Sequence, residues 1–215
     1  MAGLVLCGGE SRRMGRPKAW LEFGGETLLA RIVRCVSTVA QPVAVVHRPG
    51  QQLPPLPATV LLVQDTHVGQ GPLAGMHAGF AALRGAATHA LVVSCDVPFV
   101  RAAFLARLVE KMYQAAATAD APHVPLACVP VFAGRKHPLV AVYALDLGPQ
   151  IAALLQQGRL RPAFLLEQIP VHWLYPTDWA DVDPQSLSLL NINTPQDYQD
   201  ALRRAGLAAS DTPAS

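Results

Sequence analysis

Short apolar runs alternate along the chain with stretches whose apolar residues recur every three or four positions. Runs at 4–7, 42–46, 59–63 and 90–94 predict buried strands. Between them, Leu28, Leu29, Ile32, Val33 and Val36 carry helical spacing over 26–38, with Thr27 as a possible N-cap. A second helix is expected over 73–83, entered just after Pro72, and a third over 102–116. Further along, strands are expected at 121–132 and 138–143, joined by a turn at Arg135-Lys136-His137-Pro138. Helices follow at 145–157 and 162–168, then a strand at 171–175 and a last short strand at 187–191. Thr194 and Pro195 have the order of an N-cap and a first helical residue, and open a helix to about Arg204. Strands alternating with amphipathic helices predict a mostly parallel sheet covered on both faces. One domain is expected over 1–206, with halves of about 1–120 and 121–206, and a flexible tail over 207–215.

Composition narrows the class of molecule. The 215 residues are 51% hydrophobic, enough for a packed core and far from a disordered composition. A net charge of +2 lacks the dense basic stripe of a nucleic-acid partner, so none is expected. The opening residues lack the pattern of a secretion signal, and no apolar stretch reaches the length of a membrane span, so a cytoplasmic protein without membrane contact is expected. Four cysteines, Cys7, Cys35, Cys95 and Cys128, form no C-x-x-C pair and are expected as reduced core residues.

In a sheet of this kind ligands bind beyond the carboxyl ends of the strands. The informative segments are therefore GGESRRMGRPK after the first strand, QDTHVGQGPLAG after the third, SCDVP after the fourth and NINTP after the last. Gly8 and Gly9 let the backbone turn and approach a ligand closely. Arg12, Arg13 and Lys18 add fixed positive charge, which suits phosphate. The segment is neither a Walker A loop nor a dinucleotide fingerprint. The alternative is a glycine turn with its arginines in solvent.

Asp96, at the end of the fourth strand, either caps the helix entered near Arg101 or holds Mg²⁺ with substrate phosphates. Asp65 and the glycines of 69–75 could hug a planar base, or form a plain loop. Asn191 and Asn193 present amides on one side of Ile192, as ligand groups or as turn chemistry. His47, His67, His77, His89, His123 and His172 show no ligand spacing and are expected in loops or at the surface. His137 differs because its basic turn could face an anionic second substrate.

LCGGESRRMGRPK, GPLAGM, SCDVP, KHPLVAV and LNINTP, in this order, resemble the motifs of the molybdenum cofactor guanylyltransferases. The resemblance runs from about Leu4 to Tyr198. It implies a Rossmann-like three-layer α/β/α sandwich with a mostly parallel mixed sheet, of the nucleotide-diphospho-sugar transferase or glycosyltransferase-A type. It implies a nucleotide-binding first half and an acceptor-binding second half. The implied activity is transfer of GMP from GTP to the terminal phosphate of molybdopterin, with Mg²⁺ on Asp96. Transient contact with cofactor-inserting proteins or recipient molybdoenzymes would follow. By this resemblance Lys18, Arg12 and Asp96 are catalytic. Leu6, Cys7, Gly8, Gly9, Ser11, Arg13, Gly15, Lys18, His47, Asp65, Gly71, Pro72, Leu73 and Gly75 bind the nucleotide. Arg161, His137, Asn191 and Asn193 meet the acceptor. Pro17 stands where the motif usually has aspartate, and His47 where asparagine often follows the second strand. A cytidylyltransferase on the same or another phosphorylated acceptor is the neighbouring alternative, and a non-catalytic nucleotide-binding module the more distant one.

Overall fold

In a computed structural model the described residues are 1–9, 14–65, 69–120 and 124–207. Strand β1 (Ala2–Leu6) lies inside an eight-stranded sheet together with β4 (Val43–His47), β5 (Leu61–Gln64), β6 (His89–Ser94), β7 (Ala127–Phe132), β8 (Arg135–Lys136), β9 (Val140–Ala144) and β10 (Val171–Leu174). The order is β10-β7-β9-β6-β1-β4-β5, with β8 paired to β7. β1 pairs in parallel with both β4 and β6, β4 with β5, and β7 with β10. β9 runs antiparallel between β6 and β7, which makes the sheet mixed. A small hairpin of β2 (Glu22–Phe23) and β3 (Glu26–Thr27) stands apart from it.

Period-two alternation sorts the strand side chains into two cores. Val5, Val45, Val93 and Val142 face α1 (Leu28–Ser37), α3 (Ala102–Thr118) and α6 (Pro195–Arg204). Leu4, Val46, Val92 and Tyr143 face α2 (Gly71–Leu83), α4 (Gly148–Gln156) and α5 (Pro162–Leu166). The result is the expected three-layer α/β/α sandwich. Among the described residues no helix is long and apolar enough to cross a membrane.

Local signals account for the helix boundaries. Thr27 Oγ1 accepts from the Ala30 amide at 3.4 Å, capping α1. Thr194 and Asp197 form a reciprocal capping box with Pro195 in the first turn of α6. Helix α2 packs very closely on β1: a Cβ at Gly79 would lie 2.3 Å from Leu4 Cδ1, so only glycine fits there unmoved.

Two expected elements are different. Arg135 and Lys136, expected in a turn, form the short strand β8 against β7. Residues 187–189 form a 3₁₀ turn, not a strand. The buried Asp183 carboxylate accepts from the amides of Leu187 at 3.1 Å and Ser188 at 2.8 Å, and so holds the turn closed. Apolar residues on both sides of a turn mimic a short strand when only periodicity is visible. The alternation expected beyond it survives, because Ile192 is buried and Asn191 and Asn193 are exposed.

Asp183 therefore fixes the segment that delivers both asparagines. Asp183→Ala should leave two amides without their acceptor and lower the unfolding free energy by about 2–4 kcal/mol. A urea midpoint equal to that of the unsubstituted protein would show that the turn does not depend on this carboxylate.

Candidate active site

From β1 the chain steps outward to β4 and β5, then returns to place β6 on the other side of β1. Ligands of open α/β sheets bind at such a reversal, outside the carboxyl ends of the strands. A cleft of about 540 Å³ opens there. Gly8, Gly9, Lys18 and Asp96 line it from β1 and β6, and Arg48, Gln51 and Asp65 from β4 and β5. The ladder continues into its floor: the Cys7 amide bonds Val46 O at 2.8 Å and the Cys95 amide bonds Leu6 O at 3.0 Å.

Lys18 begins a 3₁₀ turn (Lys18–Trp20) and sends its ammonium across the cleft. Its Nζ donates to Asp96 Oδ2 at 3.2 Å and to Asn193 Oδ1 at 3.0 Å. Both side chains of the ion pair are largely sheltered, with 15% of Lys18 and 17% of Asp96 exposed. Asp96 Oδ1 accepts from Ser94 Oγ at 2.6 Å and from Asn191 Nδ2 at 3.3 Å. The Ile192 amide bonds Asp96 O at 2.9 Å, so backbone and side chains together fasten the NINTP segment to the end of β6.

The carboxylate is thus oriented on one oxygen and charge-paired on the other. Among the described residues no three or more His, Cys, Asp or Glu gather as a self-sufficient metal cage. The Asp96 carboxylate, in a cleft with room for substrate phosphates, suits Mg²⁺, which keeps its waters and takes substrate phosphate oxygens.

On the far side, α2 opens toward the cleft. Among the described residues its first turn holds no acidic residue and its N-cap makes no side-chain bond, and Pro72 within that turn carries no N–H. Gly71 enters the helix at φ +71°, a conformation that requires glycine, and a Cβ there would press to 3.1 Å from Leu160 O. Gly75 lets the helix lie against the floor of the cleft: a Cβ at this position would stand 3.3 Å from Leu6 Cδ2 and 3.9 Å from Asp65 Oδ2.

Several expected residues meet in this cleft: Leu6, Cys7, Gly8, Gly9, Lys18, Asp65, Gly71, Pro72, Gly75, Asp96 and Asn193 all line it. Asn191 joins through Asp96. Ser11, Arg12 and Arg13, with His67 and His123, lie outside the described residues. Leu73 does not reach the cleft; it is fully buried on the α2 face of the sheet. Gly15 takes φ +70° in the loop but is not part of the lining. His47 is neither in a loop nor on the surface. It is the buried last residue of β4, and its Nδ1 lies 2.9 Å from Arg48 O. Arg161 is exposed at the N-cap of α5, one residue beyond the Leu160 carbonyl that abuts Gly71.

His137 precedes the cleft-lining Leu139, but its Nε2 is buried with no hydrogen-bond partner among the described residues. Burial, assisted by the charge of Arg135, holds its pKa below the ordinary histidine value against the opposing pull of Phe132. Its burial thus disfavours the charged imidazolium.

Arg48 and Gln51 line the cleft although no motif pointed to them, and Ser94 and Leu139 line it from within SCDVP and KHPLVAV, where neither was singled out. Arg48 follows an apolar strand directly, so the strand-end rule applied to Lys18 and Asp96 would have found it.

Comparison with known proteins agrees with this geometry. Residues 3–171 match the family model of the MobA-like NTP transferase domain. The chain is 34% identical over 206 residues to a probable molybdenum cofactor guanylyltransferase of Mycobacterium ulcerans, covering 94% of each chain. It is also 34% identical over 212 residues to the molybdenum cofactor guanylyltransferase of Rhizobium leguminosarum, covering 94% of this chain and 92% of that one. The solved structure of molybdopterin-guanine dinucleotide biosynthesis protein A from Archaeoglobus fulgidus superposes with a TM-score of 0.74 at 25% identity, over 96% of this chain and 99% of that one.

The cleft floor also sets the cysteines apart. All four are free and buried. The pKa of Cys7 is lowered by a hydrogen bond from Cys95, by Gln51 and by the charge of Arg48, against burial, which raises it. Cys95 is raised by the same contact with Cys7 and by burial. Burial raises Cys35 and pushes Cys128 up to about 12. Since the thiolate is the reactive form, a small methanethiosulfonate should label Cys7 first as pH rises. Peptide mapping that finds Cys95 or Cys128 labelled first would contradict this order.

Proposed function

The chain belongs to the family of MobA-like NTP transferase domains, and on that premise we propose that it transfers GMP from GTP to the terminal phosphate of molybdopterin, forming the guanine dinucleotide cofactor and releasing pyrophosphate. The observation that carries this reading is the Lys18–Asp96–Asn193 cluster at the sheet reversal, beside a glycine-lined cleft.

In this reaction an oxygen of the acceptor phosphate forms a bond to the α-phosphorus of GTP as the bond to the pyrophosphate oxygen breaks. The attacking oxygen is already anionic, so no strong general base is required. The barrier is the meeting of two anions, and catalysis is then positioning and neutralisation of charge. Asp96 would hold Mg²⁺, with Ser94 and Asn191 fixing the carboxylate. A magnesium ion bound there supplies positive charge to phosphate oxygens. The Lys18 ammonium, already turned into the cleft by Asn193, holds the triphosphate. The backbone at Gly8 and Gly9 and the leading turn of α2 receive the nucleotide. Arg12 is assigned to the leaving pyrophosphate from its place in the sequence motif alone. Asn191, Asn193 and Arg161 are assigned to the acceptor from their places in the sequence motifs. The product would pass by transient contact to a cofactor-inserting protein or a recipient molybdoenzyme.

A cytidylyltransferase is the second reading. Pro17, which stands in place of the motif's aspartate, lines the cleft itself, and a cytidylyltransferase would share the phosphate and metal chemistry.

Asp96→Ala should reduce turnover by at least about 10²–10³-fold, with Lys18→Ala slowing the chemical step to a comparable degree. Pterin-dependent pyrophosphate release measures both, and undiminished release by Asp96→Ala at physiological Mg²⁺ would refute the assignment. A melting series with Mg²⁺ and GTP, CTP, ATP or UTP tests base choice. At 100 times its Kd the favoured nucleotide stabilises by about 2.7 kcal/mol, roughly 5–10 °C for a chain of this size. Selective stabilisation by GTP is expected, whereas selectivity for CTP would establish the second reading.

A further inference from the structure

The proposed reaction leaves Arg48 without a task. Arg48 follows β4 directly and lines the cleft, and its Nε is buried with no hydrogen-bond partner among the described residues. Its backbone, by contrast, is held on both sides. The Arg48 amide donates to Gln51 Oε1 at 3.1 Å, and Gln51 Nε2 donates to Cys7 O at 3.0 Å. The main chain is built into the sheet end while a buried donor stays open. A guanidinium that turns toward a ligand with two acceptors relieves that deficit.

Position says which part of a nucleotide it would meet. Neighbouring strands lie about 4.8 Å apart, so the ends of β6 and β4 are separated by roughly 10 Å, with β1 between them. Lys18 and Asp96 occupy the β6 end. Arg48 occupies the β4 end, its Cγ 3.6 Å from where a Gly8 Cβ would stand. On the next strand, the Asp65 amide bonds His47 O at 2.8 Å, and the buried Asp65 lines the same end of the cleft. Asp65 brings a carboxylate to the same end of the cleft, which disfavours phosphate there because like charges repel. That end suits a ring that accepts on one edge and donates on the next. Among the four bases guanine alone offers N7 and O6 side by side as acceptors, whereas adenine puts an amine donor in the place of O6.

We infer that Arg48 is a specificity-determining residue that donates its guanidinium fork to guanine N7 and O6, with Asp65 toward the N1 and N2 edge. The inference rests on the proposed nucleotide reading, with the triphosphate at Lys18 and Asp96.

Calorimetric titration of GTP, 7-deaza-GTP, ATP and CTP with Mg²⁺ tests it in the unsubstituted protein, Arg48→Gln and Arg48→Lys, each first shown to melt cooperatively. Arg48→Gln should weaken GTP about 10- to 100-fold and leave ATP and CTP nearly unchanged. Arg48→Lys should recover little, because lysine lacks the fork. The unsubstituted protein should prefer GTP over 7-deaza-GTP, which lacks the N7 acceptor, and Arg48→Gln should bind the two alike. Equal weakening of every nucleotide would make Arg48 a phosphate contact, and unchanged GTP affinity would remove it from the site; either overturns the inference while the guanylyl reading stands. An unsubstituted protein that prefers CTP would overturn the guanylyl reading and this inference together.

Discussion

The ion pair of Lys18 and Asp96 is the contact around which the cleft is arranged. It joins residues 78 positions apart, and the bond from Lys18 to Asn193 spans 175. Sheltering two charges costs free energy that their mutual attraction repays only with good geometry and further hydrogen bonds. Here those bonds come from Ser94, Asn191 and Asn193. Replacing such a pair by well-packed apolar residues is often neutral or stabilising, so stability is weak ground for its presence. Its place at the sheet reversal suits it to the charge neutralisation proposed above: a cation and an anion held in the same cleft as the backbone of Gly8 and Gly9.

Packing elsewhere keeps that pair in register. β1 and β6 must end side by side for Lys18 to reach Asp96, and their pairing from Ala2↔Ala90 to Leu6↔Ser94 sets that alignment. Helix α2 can point its first turn into the same cleft only because Gly75 and Gly79 let it lie against Leu6 and Leu4. The C-terminal segment is tied down twice, by Asp183 before the asparagines and by the Thr194–Asp197 box after them. Tyr198 continues the fastening, with its hydroxyl on Glu22 O at 2.5 Å and its ring under Arg16. Much of the fold's polar bonding thus converges on one rim of the sheet.

That convergence explains what was legible beforehand. Parallel strands deliver the residues that follow them to the functional rim, so Gly8, Lys18, Asp65 and Asp96 could be found by reading past each apolar run. The capped helices were equally plain, because Thr27 and Thr194 carry local chemistry that needs no tertiary context. Three things were hidden. The turn at 187–189 depends on a carboxylate four residues upstream, which periodicity does not register. The burial of His47 depends on β5 lying alongside it. The lowered pKa of His137 depends on how deeply its turn is packed.

The antiparallel β9 shows the same limit from the other direction, and also what the fold gains from it. A strand running against its neighbours brings its beginning, not its end, to the rim where β6 finishes. Leu139, just before β9, therefore accepts from the Ser94 amide at 2.8 Å and lines the cleft. Reading past apolar runs misses such a residue by construction; reading before β9 would have found it. A parallel strand in that place would have needed a crossover of a dozen or more residues, usually a helix, laid over one face of the sheet. The hairpin of β7, β8 and β9 avoids that crossover and leads into β9 through a short turn at 137–139. Beside Asp96 the rim is thus bordered by a compact turn.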